Sequence, residues 1–287
     1  MSFDRRVTPV RADLAAESLR GQVEAERLTS GTVKRVKAPS APLRRDPSHE
    51  AALDSEVLKG ELVTVYDDHA GWSWVQLHGD GYVGYVPSAA LGEREADPTH
   101  KIGAIRTFLY PGPSMKLAHS GFLSLGAQVL VTEVQGEFAR LDTGEFVFTQ
   151  HVAELGACEP DFVAVAERFL HTPYLWGGKT SLGIDCSGLA QLSLLTAGIP
   201  APRDSDMLER AIGEPVEIRP DLSGLKRGDL IFWKGHVGMM VDPVHMLHAT
   251  AYTMTTYLEP LAVAAERIRT KSFGAITSIK RLPSLGG

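Results

Sequence analysis

Three residues in this chain have the chemistry and the spacing for covalent catalysis: Cys186, His236 and His248. A thiol attacks a carbonyl as its thiolate, so it needs a base to take its proton, and the base in turn needs a group that orients it. The surroundings of Cys186 supply a first part of this. The stretch from His171 to Gly198 reads H-T-P-Y-L-W-G-G-K-T-S-L-G-I-D-C-S-G-L-A-Q-L-S-L-L-T-A-G. After the turn-rich half, Leu189, Leu192 and Leu195 recur at helical spacing, and Gly198 followed by Pro200 ends the run. Asp185 is a suitable N-cap, which sets Cys186 in the first turn of a short apolar helix. The positive end of a helix dipole favours an anion there and is expected to lower the thiol pKa.

The histidines require a different scaffold. Residues 228–233, 236–241 and 245–250 read as three consecutive strands, with Lys234-Gly235 and Asp242-Pro243 as the turns. A hairpin centred on Asp242 puts His236 and His248 directly opposite one another, with Cβ atoms roughly 5 Å apart. One ring can then orient the other, and that other can meet the thiol.

The ordered motifs PYLWGG, DCSG, RGDLIFW-KGHVGMMV and HAT resemble the NlpC-type family of papain-like cysteine peptidases, which cut peptidoglycan stem peptides. The similarity spans residues 159–287. It implies Cys186 as nucleophile, His236 as general base, His248 as the orienting third residue, and Tyr174 beside the oxyanion site with the Cys186 backbone N–H. The loop Pro202-Arg203-Asp204-Ser205-Asp206-Met207-Leu208 departs from the P-R-D-S-D-Q-Q common in the family. No cofactor and no metal are implied.

Upstream, the G-W-x-x-V…G-Y-V-P pattern of residues 71–87 resembles bacterial SH3-like domains that accompany such catalytic modules. Family members built this way often cleave between γ-D-glutamate and the diamino acid of stem peptides whose N-terminal L-alanine is free. In them an acidic residue and a tyrosine of the barrel hold the amine, with the residues flanking the cysteine. The matching positions are Glu56, Tyr82, Asp185 and Ser187, and the implied partners are murein peptide fragments. An ammonium group calls for a carboxylate and hydroxyl acceptors, so the set is chemically coherent.

The 287 residues suit two or three domains. A content of 44% hydrophobic and 22% charged residues is that of a globular chain, and the net charge of −6 argues against a nucleic-acid partner. The basic cluster Lys34-Arg35-Val36-Lys37 is short, and no apolar run approaches membrane-spanning length. The N-terminal stretch M-S-F-D-R-R-V-T-P-V-R-A-D-L has neither an apolar core nor a small-residue cleavage site, which gives a cytoplasmic expectation. Two cysteines make no disulfide framework.

Residues 11–28 fit a short amphipathic helix, giving an N-terminal helical extension over 1–29. Beyond it the texture is β, and it repeats: Gly60 and Gly71 recur as Gly126 and Gly136, offset by 66 and 65 residues. The expected class is α+β: two small SH3-like β-barrels at 30–97 and 98–157, then a papain-like catalytic domain at 158–287. The G-x-G-x-x-G at Gly79–Gly84 runs into a strand ending at Pro87 and not into a helix, so it makes no nucleotide site. Cys158, His171 and His245 are read as structural or solvent-facing, His245 because it lies three residues from His248 on one strand. A zinc site from Cys186, His236 and His248 is conceivable but fits the spacing less well than a peptidase. Two further readings share parts of the pattern: an acyltransferase or amidase on the same Cys/His core, and a non-catalytic wall-binding protein.

Overall fold

The computed structural model describes residues 3–283; residues 1, 2 and 284–287, the outer ends of the expected first and last segments, lie outside the described residues. The chain forms two compact units, residues 1–157 and 158–287.

The first unit opens with β1 (Leu14–Ala16) in parallel pairing with β2 (Arg27–Thr29). The helix expected over residues 11–28 is thus not formed; only Glu17–Leu19 makes a short 3₁₀ turn. Leu14, Ala15 and Ala16 are buried in succession, which a one-sided surface helix does not do, and Gly21 takes φ +76°. Leu14 packs with Trp74 and Val83, and the Arg11 guanidinium lies 4.6 Å from the Trp74 ring centroid.

A seven-stranded antiparallel sheet follows: β3 (Thr32–Val36), β4 (Ser40–Arg44), β5 (Leu53–Leu58), β6 (Leu62–His69), β7 (Trp72–Leu77), β8 (Val83–Pro87) and β9 (Leu91–Glu93). Their spatial order is β5-β4-β8-β7-β6-β3-β9, around a core that includes Leu43, Val57, Val63, Val75 and Val86. The Gly79–Gly84 stretch is the turn between β7 and β8, with Gly81 at φ +76° and a strand after it.

Residues 98–157 carry β10 (His100–Ile102), β11 (Arg106–Leu109), β12 (Gly121–Ser124), β13 (Gln128–Val129), β14 (Val131–Gln135), β15 (Phe138–Leu141), β16 (Phe146–Phe148) and β17 (Val152–Glu154). Their pairings repeat those of the first seven: β11 with β12 as β4 with β5, β14 with β15 as β6 with β7, and β10 with β17 as β3 with β9. The main chain repeats too. Gly60 donates to Val36 O at 2.8 Å and Gly126 to Ile102 O at 2.9 Å, with φ of +86° and +85°. These residues pack around their own core of Ile102, Leu123, Val129, Leu141 and Val147.

The second unit begins with α1 (Phe162–Glu167), capped by Asp161 through Val163 N–H at 2.9 Å. A hairpin of β18 (Lys179–Thr180) and β19 (Gly183–Ile184) leads into α2 (Cys186–Thr196), and α3 (Ser205–Ala211) follows. The remainder is a six-stranded antiparallel sheet with one helix, α4 (Leu261–Lys271). Its strands are β20 (Glu214–Val216), β21 (Leu230–Trp233), β22 (His236–Met240), β23 (His245–Thr250), β24 (Thr255–Pro260) and β25 (Ser278–Arg281), in the order β20-β25-β21-β22-β23-β24. Helix α2 packs against α1, β22 and β23. It is buried on nearly every side, with Leu195, one of the three spaced leucines, the exposed position. Gly198 ends it at φ +77°. The fold is therefore mixed α and β.

Candidate active site

The turn before α2 is built to hold Cys186 still. The Asp185 carboxylate caps the helix, accepting from Gly188 N–H at 2.6 Å, and its other oxygen accepts from Gly177 N–H at 2.8 Å. Arg203 closes on the same carboxylate with Nη1–Oδ1 and Nη2–Oδ2 distances of 3.0 and 2.8 Å, and reaches Ser187 Oγ at 2.8 Å. Asp185 is 7% exposed and Arg203 only 1%. Both carboxylate oxygens are thus engaged. The amine contact expected of Asp185 has to compete with these donors, and Arg203 is a residue that the motif reading quoted without a role.

Cys186 is buried, and the backbone N–H groups of Val237 and Ser187 point at its sulfur. Burial and the neighbouring Asp185 nonetheless push the thiol up to about 12. The lowering expected from the helix dipole is outweighed, because desolvation of a thiolate costs more than partial charges at a helix end return. Tyr174 stands beside Cys186 and Asp185, half-buried, and its phenol is pushed well above the usual tyrosine range by burial and by those two groups. Its backbone N–H donates to Met254 O at 2.8 Å.

Strands β22 and β23 pair Met239 with Leu247 and Met240 with Met246. The turn is therefore centred one residue later than Asp242, and continuing the register sets His248 against Gly238. His236 and His248 are diagonal neighbours instead of direct partners, still on one face because the slip is two residues. Their rings span the diagonal: His236 Nε2 and His248 Nδ1 are 2.8 Å apart, with centroids at 5.1 Å. Gly238, opposite His248 in this register, leaves room for the Met246 side chain, whose sulfur a Cβ there would meet.

Beyond His248 the chain of contacts continues into residues that the motif reading missed. His248 Nε2 lies 2.9 Å from Glu259 Oε1 on β24, and Arg267 of α4 binds both Glu259 oxygens, one of them at 2.6 Å. The Arg267 guanidinium sits 4.1 Å from the Tyr252 ring centroid. Phe273 stacks on His236 with centroids 5.4 Å apart and planes at 5°. The signal for Glu259 is its place in T-T-Y-L-E-P, a lone carboxylate on the strand next to His248, whose register no local pattern reports. Burial drives His236 well below the ordinary histidine value and lowers His248 too, while Arg267 and His248 hold Glu259 down at about 2. At neutral pH the site thus rests as an uncharged thiol and two uncharged imidazoles, backed by an ionised carboxylate.

His248 has both nitrogens committed, to His236 and to Glu259, so the three residues do not converge on a point that a metal could occupy. His245 pairs with Asp242 at 2.9 Å, away from the cleft histidines. Glu56, on β5, and Tyr82, in the turn before β8, belong to the first unit; the Tyr82 ring is part of the core there, 4% exposed.

Comparison with known proteins finds one family match within each unit. Residues 43–91 match the model of the bacterial dipeptidyl-peptidase SH3 domain, and residues 171–266 that of the NlpC/P60 family. A gamma-D-glutamyl-L-lysine dipeptidyl-peptidase of Bacillus cereus is 29% identical over 241 residues, covering 73% of this chain and 71% of the relative. A protein of the same name from Bacillus subtilis is 29% identical over 224 residues, covering 69% and 72%. The crystal structure of an NlpC/P60 family protein from Bacillus cereus superposes with a TM-score of 0.73 at 21% identity, over 88% of this chain and all of the other, and so shares the fold. With a buried thiol at a helix start, a hydrogen-bonded histidine pair on the two strands packed against that helix and these two domains in this order, the chain is a cell-wall peptidase of the NlpC/P60 cysteine peptidases, carrying a bacterial dipeptidyl-peptidase SH3 domain ahead of its catalytic domain.

Proposed function

We propose that this peptidase removes L-Ala-γ-D-Glu from stem peptides with a free N-terminus by cutting the bond between γ-D-glutamate and the diamino acid. The observation that carries the reading is the hydrogen-bonded histidine pair on strands packed against the helix that begins at the buried Cys186, in a chain with relatives over most of their length named gamma-D-glutamyl-L-lysine dipeptidyl-peptidase. A dipeptidyl-peptidase counts two residues from a free amine, so its site must hold that amine.

In this reading His236 Nδ1 takes the Cys186 proton as Sγ attacks the γ-carbonyl of D-glutamate. Since the thiol rests uncharged, proton transfer accompanies attack. The Cys186 backbone N–H, at the first position of α2 and so without an acceptor inside the helix, stabilises the oxyanion together with Tyr174. The C–N bond breaks as His236 returns the proton to the diamino acid's amine. Water then hydrolyses the thioester, with His236 again as base.

Glu56, Tyr82, Asp185 and Ser187 are assigned to the substrate ammonium, as the family resemblance implies. Residues 98–157 are read as a second SH3-like module, supported by the repeated strand pairings and the matched glycine turns. A free-amine requirement spares intact wall, where that alanine is blocked by the sugar, and supports a role in recycling imported fragments in the cytoplasm.

The test is incubation with L-Ala-γ-D-Glu-L-Lys and its diaminopimelate counterpart, each free and N-acetylated, with products read by mass spectrometry. Cleavage of the free forms alone, abolished in Cys186→Ala, is expected. Equal cleavage of the acetylated forms would remove the amine requirement; turnover by the alanine variant would remove the mechanism.

A further inference from the structure

The site contains more than a thiol and two imidazoles. A buried carboxylate and a guanidinium extend the same line of hydrogen bonds, and neither has a part in the chemistry derived so far. Glu259 is 5% exposed; its Oε1 meets His248 Nε2 at 2.9 Å, and both of its oxygens meet Arg267. Arg267 is itself held by the Tyr252 ring at 4.1 Å.

Donor and acceptor logic along this line has one solution. An ionised carboxylate gripped by a guanidinium can only accept. His248 Nε2 must therefore carry its proton, and in a neutral ring that leaves Nδ1 bare. A bare Nδ1 can only accept, so His236 Nε2, 2.8 Å away, must be the donor. In a neutral His236 the proton on Nε2 leaves Nδ1 as the unprotonated nitrogen. With the opposite tautomer at either ring the line would carry a donor facing a donor, or a lone pair facing a lone pair.

We propose that Glu259, steadied by Arg267, is a positioning residue that sets the tautomer of both histidines in series and so leaves His236 Nδ1 free to take the thiol proton. This rests on the cysteine peptidase reading of the site. Its reach is two residues: Glu259 touches neither substrate nor sulfur and acts through His248. Arg267 keeps the carboxylate ionised, so that it orients the imidazoles without taking a proton from them.

The test combines tautomer with rate. Long-range ¹⁵N spectra of histidine-labelled protein, recorded without substrate, should show protonated Nε2 and bare Nδ1 at both His236 and His248. The double variant Glu259→Leu/Arg267→Leu removes carboxylate and counterion together and leaves no lone buried charge. It should show mixed tautomers and a kcat lowered roughly 10- to 100-fold, with KM within about twofold. Glu259→Gln, whose carbonyl can still accept from Nε2–H, should keep the tautomers and recover part of the rate. A wild-type spectrum with His248 Nδ1 protonated overturns the proposal even if the double variant does not fold. Native tautomers and native kcat in a folded double variant overturn it equally. Because the spectra need no turnover, their outcome is separate from the Cys186→Ala assay: activity in that variant would sink the peptidase mechanism and leave the tautomers as measured.

Discussion

Arg203 Nη2 lies 2.8 Å from Asp185 Oδ2 with both side chains shut away from solvent, and that pair fixes the turn from which Cys186 projects. Removing the cation leaves a buried carboxylate with two backbone N–H partners and the Ser187 hydroxyl. Arg203→Leu should therefore lower stability by about 3–5 kcal/mol, read as the shift in denaturant midpoint. A loss below about 1 kcal/mol would mean that the capping bonds alone hold Asp185.

The same turn depends on the absence of side chains. A Cβ on Gly178 would lie 2.5 Å from Gly183 O and 2.9 Å from Leu175 O, and both are backbone atoms. Neither can step aside as a flexible side chain would. Gly178→Ala should shift the Asp185–Cys186 corner and cost roughly 100-fold in kcat/KM, with far-UV circular dichroism unchanged. Native turnover would show that the turn yields without moving the sulfur.

The pH dependence of the rate follows from the resting protonation states. His236 must be uncharged to act as base, and burial holds its pKa well below 6.5. Activity should therefore hold as pH falls through 6.5, with the acid limb of kcat/KM at lower pH. The thiol, near 12, adds no ionisation between pH 7 and 9. An acid limb centred at or above 6.5 would contradict this resting state.

Stability should fall on the acid side for the same reason, with the sign set by which state binds more protons. Unfolded, His236 protonates near 6.5; folded, it resists until well below that value. The unfolded chain thus gains protons first, and stability drops as pH falls from 6.5. Glu259 adds a second drop between its ordinary value of 4.5 and about 2, where its native partners are lost. Denaturant titrations at pH 7.5, 5.5 and 4 should show midpoints decreasing in that order.

The catalytic helix was legible because it combines local signals: an N-cap at Asp185, apolar spacing, and a stop at Gly198. Tyr174 beside Cys186 came from motif and not from spacing. The hairpin register was not legible, since a turn at Asp242-Pro243 admits several registers; the true one replaces a direct histidine pair with a diagonal. Glu259 and Arg267 were missed because their meeting depends on β24 pairing with β23 and on where α4 then sends its second turn. The helix expected at residues 11–28 failed for a related reason. Its Leu14 is buried by tertiary contact with Trp74 and Val83, which no local periodicity reports, and its Ala12 is exposed.

The matched glycine turns of the first unit are closed by amide-to-carbonyl bonds, Gly60 to Val36 and Gly126 to Ile102. Bonds of that kind do not ask which side chains stand nearby. On the proposed reading of residues 98–157 as a second module, they lack the tryptophans and the terminal G-Y-V-P of the first and still keep the pairings β10–β17, β11–β12 and β14–β15, while the SH3-domain model matches residues 43–91. Where architecture is written in the main chain, side chains are free to differ while the strand pairings persist.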